Sequence, residues 1–507
     1  MFPNESSAGI DNLTRWNPLD MAVAEWWTPS GRVATMIGMS SGRRVHTFTD
    51  DALGEHDAVG VAELIRSGEV SSVEVEAAAI ERLRRAHEQL NAVRFEAYDR
   101  SRRSPNPDSP LDGVPTLIKD NHDVGGWPTN HGSEAWMAKP AVKDGAYVAQ
   151  YLGTGMTALG KSTMPEFGLN ATTEFRTGAP TVNPWDTAYS VGASSGGAAA
   201  LVAAGAVPIA HANDGGGSIR IPAAAAGLVG LKPSRGRHRD GEEARMLPIN
   251  IISEGVLTRS VRDTAAFVYA MEREWRNPKL APIGQVSGPA NRTLRVGLLL
   301  ESVNDTVVDP EIREACELTA RLMEAQGHIV EPIAPPVDPS FEEDFVLYWA
   351  LLSALAAGLG KVTFDRSFDI AKVDGFTEGL RRTCLDGGWK RAPGAIRRLR
   401  KAGVRYAEAF RRHEVIIAPV VANTTPELGH LSPNQPFDAL LDKLRHHAAF
   451  TPIQNVTGTP ALSLPMAMSS NGLPIGVQLA AAYGDERTLL ELAYALEAQA
   501  GWPKIQS

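Results

Sequence analysis

Two cysteines in 507 residues, Cys316 and Cys384, are too few and too far apart for a disulfide framework or a thiolate metal site. They point to a reducing cytoplasm as the expected setting. Basic charge is also scarce: 50 Lys and Arg stand against 59 Asp and Glu, a formal net charge of −9. Nucleic-acid binders usually carry the opposite excess, so no nucleic-acid partner is expected. Long hydrophobic runs are missing. The longest, residues 196–212, is rich in Ala and Gly, carries Pro208 and is short for a membrane span. It reads as a buried segment, and no membrane partner is expected. The start, MFPNESSAGIDN, has no basic stretch leading into an apolar core, so no signal peptide is expected. No internal repeat is visible, and no Pro/Gly/Ser-rich linker divides the chain after residue 55.

What is present is an ordinary globular composition, 43% hydrophobic and 21% charged. Residues 1–55 differ from the rest: they hold Trp16, Trp26 and Trp27 and show no periodicity. Two readings stay open, an arm packed on the domain or a translation start at Met39. From residue 56 the signals sharpen. VAELIRSGEVSSVEVEAAAIERLRRAHEQL predicts two amphipathic helices, the second capped at Ser71 or Ser72. GVPTLIKDN predicts a buried strand, and DGAYVAQYL followed by GMTALG a helix and a strand. Residues 294–333 read as strand, helix, strand, with Asp309 as N-cap and Pro310 at the first helical position. VIIAPV, ALSLPM and PIGVQLAAA are further buried strands, and 485–499 is a closing helix. The alternation is α/β. The expected architecture is a single large domain, 56–507, with a central mixed β-sheet flanked by α-helices. Residues 341–361 predict an aromatic-rich helix whose Phe345, Tyr348 and Trp349 either pack the core or line a substrate pocket. The basic run 390–412 reads as a solvated helix face.

Three glycine-and-serine signals compete for the chemistry. Residues 155–162, GMTALGKS, fit the phosphate-loop pattern, with Lys161 to reach the phosphates. The context disagrees: the segment before it is helical, and MTAL is a strand. Residues 192–196, GASSG, fit the elbow of an α/β-hydrolase around Ser194. No apolar strand leads into them, and the late histidines His430, His446 and His447 lie in no motif. The third signal is ANDGGGSIRIPAAAAG, where three glycines run into Ser218. Successive glycines let backbone N–H groups converge on an oxyanion, with the serine placed to attack the carbonyl held there. Its plain alternative is a tight glycine turn. A serine nucleophile needs a base. Lys119, at the end of the GVPTLIK strand, is a candidate if burial behind Val114, Leu117 and Ile118 keeps it neutral. Moving a lysine from about 10.4 to about 8 takes ~3 kcal/mol. Asp120 beside it favours a surface lysine instead. Ser194 and Ser195 also read as a loop that satisfies its own backbone.

At these residues the chain resembles the amidase signature family. The matching runs are GVPTLIKDN, GKSTMPEFG, NPWDTAYSVGASSGGAAALVAAGAVPIAHANDGGGSIRIPAAAAGLVGLKPSRG, EGVLTRSVRDTA and TGTPALSLPM with GLPIGVQL, so the resemblance spans residues 46–502. It implies the amidase signature fold and a Ser-cisSer-Lys triad. Ser218 would be the nucleophile, Ser194 the bridging serine on a cis peptide, and Lys119 the base. The N–H groups of Gly215, Gly216, Gly217 and Ser218 would form the oxyanion hole, with Ser195 in support. Ala193 stands where many relatives have glycine, and Gly215 where many have threonine. Asp214 and Arg220 are expected to pair and brace the loop. No metal and no cofactor is implied. The runs look more like the stand-alone branch, with its aryl-acylamidases and hydrolases of cyclic nylon oligomers, than the glutamine-hydrolysing subunit of the tRNA-dependent amidotransferase, whose loop is usually GTDTGGS. That subunit and a catalytically silent amide-binding protein are the alternatives. The expected activity is that of a serine amidohydrolase, taking a small-molecule carboxamide and water to a carboxylate and an amine or ammonia through an acyl-enzyme on Ser218. Self-association as a homodimer is left open.

Removal of residues 1–38, which show no pattern, is expected to leave a soluble protein; expression of the truncated chain checks this, and loss of soluble material contradicts it.

Overall fold

The computed structural model describes residues 43–506 apart from 243, 245 and 246, so the tryptophans of the arm and Met39 lie outside the described residues. The described part of the arm is tied to the domain by backbone bonds from Val45 N–H to Pro184 O and Thr47 N–H to Ala204 O, both 2.8 Å, and from Thr187 N–H to Arg43 O at 3.2 Å. The two amphipathic patterns that follow fold as α1 (Ala58–Ser67) and α2 (Ser72–Leu90). Asp57 caps the first; Ser71 caps the second in a full capping box with Glu74.

A small sheet comes next, built from β1 (Val93–Glu96), β2 (Pro115–Lys119) and β3 (Thr157–Ser162) in the order β1-β3-β2. β2 runs parallel to β3, and α3 (Ala146–Gly153) makes the crossover. Every residue of β2 and β3 is buried. The phosphate-loop pattern therefore lies mostly on a strand, and Lys161 is buried with its Nζ 2.6 Å from Thr129 Oγ1 and 3.7 Å from Asp120 Oδ1.

The apolar run at 196–212 splits into α4 (Gly196–Ala203) and the head of β4 (Ile209–Asp214), with all residues of both elements buried. β4 opens an eight-stranded sheet with β5 (Val229–Lys232), β6 (Ser253–Thr258), β7 (Arg295–Leu298), β8 (Ile329–Pro332), β9 (Val415–Pro419), β10 (Ala461–Met468) and β11 (Pro474–Ala481). The strand order is β4-β6-β5-β10-β11-β9-β7-β8. Pairing is antiparallel from β4 to β9 and parallel from β9 to β8, which makes the sheet mixed. β2 lies against β4, so the two sheets meet beside the end of Lys119's strand. The flanking helices are α5 (Arg220–Ala226), α6 (Val261–Glu274), α7 (Pro310–Ala325) and, further on, α13 (Glu486–Ala500). Asp309 caps α7 as the sequence predicts.

Between β8 and β10 the chain forms a helical layer: α8 (Phe341–Gly358), α9 (Gly375–Thr383), α10 (Trp389–Ala409), α11 (Phe437–His447) and the short α12 (Pro452–Thr457). Ala350 of α8, Phe376 and Leu380 of α9 and Leu440 of α11 share one core cluster with Leu169 and Ala171. The basic face of α10 is docked as well as solvated, since Arg398 donates to buried Asp344 of α8 through Nε (2.8 Å) and Nη2.

Arg237 and Glu486 form a buried pair that joins the loop after β5 to the start of α13. Burial works to raise the Glu486 carboxyl, but Arg237 and the Ser234 N–H hold it below the usual range. Its contribution is thus present above the unfolded carboxylate range and is lost as the pH falls. Glu486→Ala removes the nearer of two carboxylates from Arg237 and leaves Glu272 at 3.7 Å; the expected loss is about 1.5–3 kcal/mol, read as an earlier urea midpoint.

Candidate active site

β4 ends at Asp214, and the chain turns through Gly215, Gly216 and Gly217 to Ser218 before α5 begins at Arg220. Gly217 has φ +136°, and a Cβ there would run into Thr451 Oγ1 and Ile221 Cδ1. Asp214 and Arg220, both fully buried, do pair. Arg220 Nε and Nη2 each donate to an Asp214 oxygen at 3.0 Å. The guanidinium also reaches Gln454 Oε1 (2.8 Å), Gln478 Oε1 (3.0 Å), Thr451 O (2.9 Å) and Asn455 Oδ1 (2.7 Å). Burial alone would raise the Asp214 carboxyl; Arg220 overcomes it and holds the group well below the usual carboxylate range.

This cluster orients the peptide planes of the loop. Thr451 Oγ1 donates to Gly216 O (2.7 Å), and Asn455 Nδ2 donates to Asp214 O (2.8 Å). Gly217 departs from the expected set of oxyanion donors, because its N–H is given to Asp214 Oδ1 at 2.7 Å. Its place in a tight turn, with the preceding carbonyl held by Thr451, aims that N–H into the protein. Gly215, Gly216 and Ser218 remain as candidate donors.

Lys119 is fully buried at the end of β2, which excludes the surface reading. Asp120 turns away to Lys161 and to Arg94, 3.8 Å distant. Lys119 Nζ lies 2.7 Å from Ser194 Oγ, 3.0 Å from Ser195 Oγ and 2.7 Å from Asn213 Oδ1. The Ala193–Ser194 peptide is cis. Ser194 precedes α4 but faces a lysine; His446 bonds Asp442 O and His447 bonds Asn423 Oδ1 elsewhere. The side chain that meets Ser194 Oγ is thus the amine of Lys119, where the hydrolase-elbow reading of GASSG calls for a histidine. Two positions escaped the sequence reading. Asn213 lies one residue before Asp214, and nothing in its local sequence marks it as a partner of the lysine. Gly168, in the MPEFG run, has φ +67°, and a Cβ there would stand 3.0 Å from Ser194 Oγ.

His122, His211 and Glu254 bring metal-ligand side chains together behind Lys119. The hydrogen bonds assign His211 otherwise. Its Nδ1 accepts the Lys119 N–H (3.1 Å), so its Nε2 carries the proton and donates to Glu254 Oε2 (3.1 Å). Neither nitrogen keeps a lone pair for a metal. Burial pushes this imidazole down to about 4, which keeps it neutral. The histidine thus pins the lysine's backbone.

One cavity opens beside Ser218 and is walled by Ala193, Gly216, Ile221, Phe345 and Trp349. Tyr348, grouped with these aromatics from the sequence, is not on that wall. One helical step aside, it is buried, with its hydroxyl donating to Ile249 O at 2.6 Å. The charged residues on the wall are Glu342 and Arg445, which pair with each other.

The family model described as Amidase matches residues 74–490. The chain belongs to the amidase family. This amidase is 48% identical over 467 residues to the Mycobacterium leprae (strain TN) protein named "Putative amidase AmiC", spanning 92% of this chain and 99% of that one. It is 34% identical over 478 residues to the 6-aminohexanoate-cyclic-dimer hydrolase of Pseudomonas sp. (strain NK87), spanning 88% and 95%. A solved structure of 6-aminohexanoate cyclic dimer hydrolase complexed with substrate matches with a TM-score of 0.79 at 31% identity, over 90% of this chain and 98% of that one. The amidase is an amide-hydrolysing enzyme of the amidase signature type. Among its described residues, no helix is long and apolar enough to cross a membrane.

Thr451→Val keeps the shape of Thr451 and removes its bond to Gly216 O. Loss of about 1 kcal/mol of loop order should lower turnover of the amidase roughly five- to tenfold while Tm stays near that of the parent; steady-state kinetics and a thermal melt check both halves.

Proposed function

We propose that this amidase is a serine amidohydrolase in which Ser218 is the nucleophile, Ser194 the proton bridge and Lys119 the base. The observation that carries this reading is the 2.7 Å contact of Lys119 Nζ with Ser194 Oγ, beside a cavity whose wall holds both Ala193 and Ser218. Neutral Lys119 takes a proton from Ser194 as Ser194 takes one from Ser218. The Ser218 oxygen bonds to the carbonyl carbon, and the developing oxyanion is met by N–H groups of Gly215, Gly216 and Ser218. Collapse of this intermediate breaks the C–N bond, and the proton returns through Ser194 to the departing nitrogen. Water then attacks the ester on Ser218 by the same route and frees the carboxylate.

The cavity supports a reading of the substrate class. Its wall is chiefly apolar, with Phe345 and Trp349 in edge-on contact at 5.1 Å. Its two charges are spent on each other, Arg445 Nη2 standing 2.6 Å from Glu342 Oε2. Such a wall suits an uncharged, apolar carboxamide. The nylon-oligomer relative's named substrate, a cyclic amide, belongs to the same class.

Intact-protein mass after exposure to a fluorophosphonate tests the nucleophile. One adduct on the wild type and none on a folded Ser218→Ala protein is expected. An adduct that survives the substitution and maps to Ser194 overturns the assignment.

A further inference from the structure

Lys119 Nζ meets three oxygens of unlike polarity. Asn213 Oδ1, at 2.7 Å, is a carbonyl oxygen and only accepts. Ser195 Oγ, at 3.0 Å, has a single proton, and that proton is donated to Asn213 O at 3.2 Å. The same hydroxyl accepts the Asn213 N–H at 3.3 Å, so it also presents a lone pair to the lysine. Ser194 Oγ, at 2.7 Å, is the third partner, and its proton is not committed by either of these bonds.

An ammonium with three N–H donors satisfies all three oxygens. A neutral amine has two N–H donors and one lone pair, so it must choose which oxygen to accept from. Asn213 Oδ1 has no proton to give, and Ser195 has spent its own. With an N–H bonded to each of them, the lone pair turns to Ser194. We propose that Asn213 is the positioning residue that sets the direction of proton transfer, holding the lone pair of neutral Lys119 on Ser194 both directly and through Ser195. The inference rests on the Ser218–Ser194–Lys119 reading above. It explains why one residue contacts both the side chain of the base and the hydroxyl beside it. Strand geometry makes this possible: His211 and Asn213 are two apart on β4 and so share a face. His211 takes the backbone N–H of Lys119 and Asn213 takes its Nζ.

The charged and titratable groups packed around this strand end already face one another. His211 and His122 lie 3.1 Å from Glu254, Asp120 lies near Lys161 and Arg94, and Asp214 is bound to Arg220. A carboxylate placed at 213 would thus be a new charge against Lys119.

The test is the rate of Ser218 labelling by a fluorophosphonate across pH 6–10, on wild type, Asn213→Leu, Asn213→Asp and Ser195→Ala. In that reaction the Ser218 oxygen bonds to phosphorus, fluoride leaves, and the proton passes to Lys119, so no natural substrate is needed. The wild-type rate rises with pH as Lys119 loses its proton. Asn213→Leu removes the acceptor and should slow labelling at least about tenfold, with its midpoint moved to lower pH. Asn213→Asp keeps an acceptor-only oxygen, so its plateau at high pH should approach the wild type while its midpoint rises by about one unit or more. Ser195→Ala is the milder change and should shift in the same direction as Asn213→Leu. Thermal melts identify the folded variants, and Ser195→Ala keeps the inference testable if a substitution at 213 does not fold. Opposite midpoint shifts are not produced by loosened packing alone. Wild-type midpoints in the folded variants overturn the inference, as does a folded Asn213→Asp as slow at pH 10 as Asn213→Leu. An adduct on Ser218→Ala would instead overturn the underlying assignment.

Discussion

Arg220 is a buried charge, and the geometry of the glycine loop depends on keeping it satisfied. A guanidinium removed from water needs partners for its whole fork of N–H groups. Here they come from four places: Asp214 at the end of β4, Thr451 at the start of α12, Gln454 and Asn455 within it, and Gln478 in the middle of β11. A strand end, a helix and the sheet are thus tied to one cation. The same residues then hold the loop's peptides, Thr451 by the carbonyl of Gly216 and Asn455 by that of Asp214. The loop keeps its backbone freedom in sequence and loses it in the folded state.

Among the described residues three lysines are buried, and their surroundings separate them. Lys161 lies near Asp120, yet burial still brings it down to about 8. Lys232 donates to Pro233 O and Ser253 Oγ, and burial followed by the nearby Arg220 charge depresses it strongly. Lys119 alone of the three is set against two serine hydroxyls and an amide oxygen. Hydroxyls can relay a proton where carboxylates would hold one, so these partners suit proton transfer more than charge storage. The helical layer supplies the other requirement. By packing α8, α9 and α11 over Ala171, it brings an apolar wall to Ser218.

Local signals carried much of the fold. The capping box at Ser71, the cap at Asp309 and the apolar runs of β2, β3, β9, β10 and β11 all depend on residues within a few positions of one another. For that reason the phosphate-loop pattern at 155–162 could be read as a strand from its own letters. The strand order could not. Whether β10 lies between β5 and β11 depends on packing among segments far apart in the chain.

By itself the sequence determined the α/β class, the family and the residue types available for catalysis, because these rest on motif letters and short-range periodicity. The tertiary structure decided how those residues are used. Lys119 and Asn213 are 94 positions apart, and only the meeting of β2 with β4 brings amine and amide oxygen to 2.7 Å. Gly217 turns its N–H to Asp214, with the carbonyl before it held by Thr451 from more than two hundred residues away. Tyr348 and Trp349 are adjacent in sequence, but successive helix positions point about 100° apart, so one bonds Ile249 and the other walls the cavity. Hydrogen-bond direction and side-chain facing are properties of packed neighbours, and a linear sequence does not say which neighbours those will be.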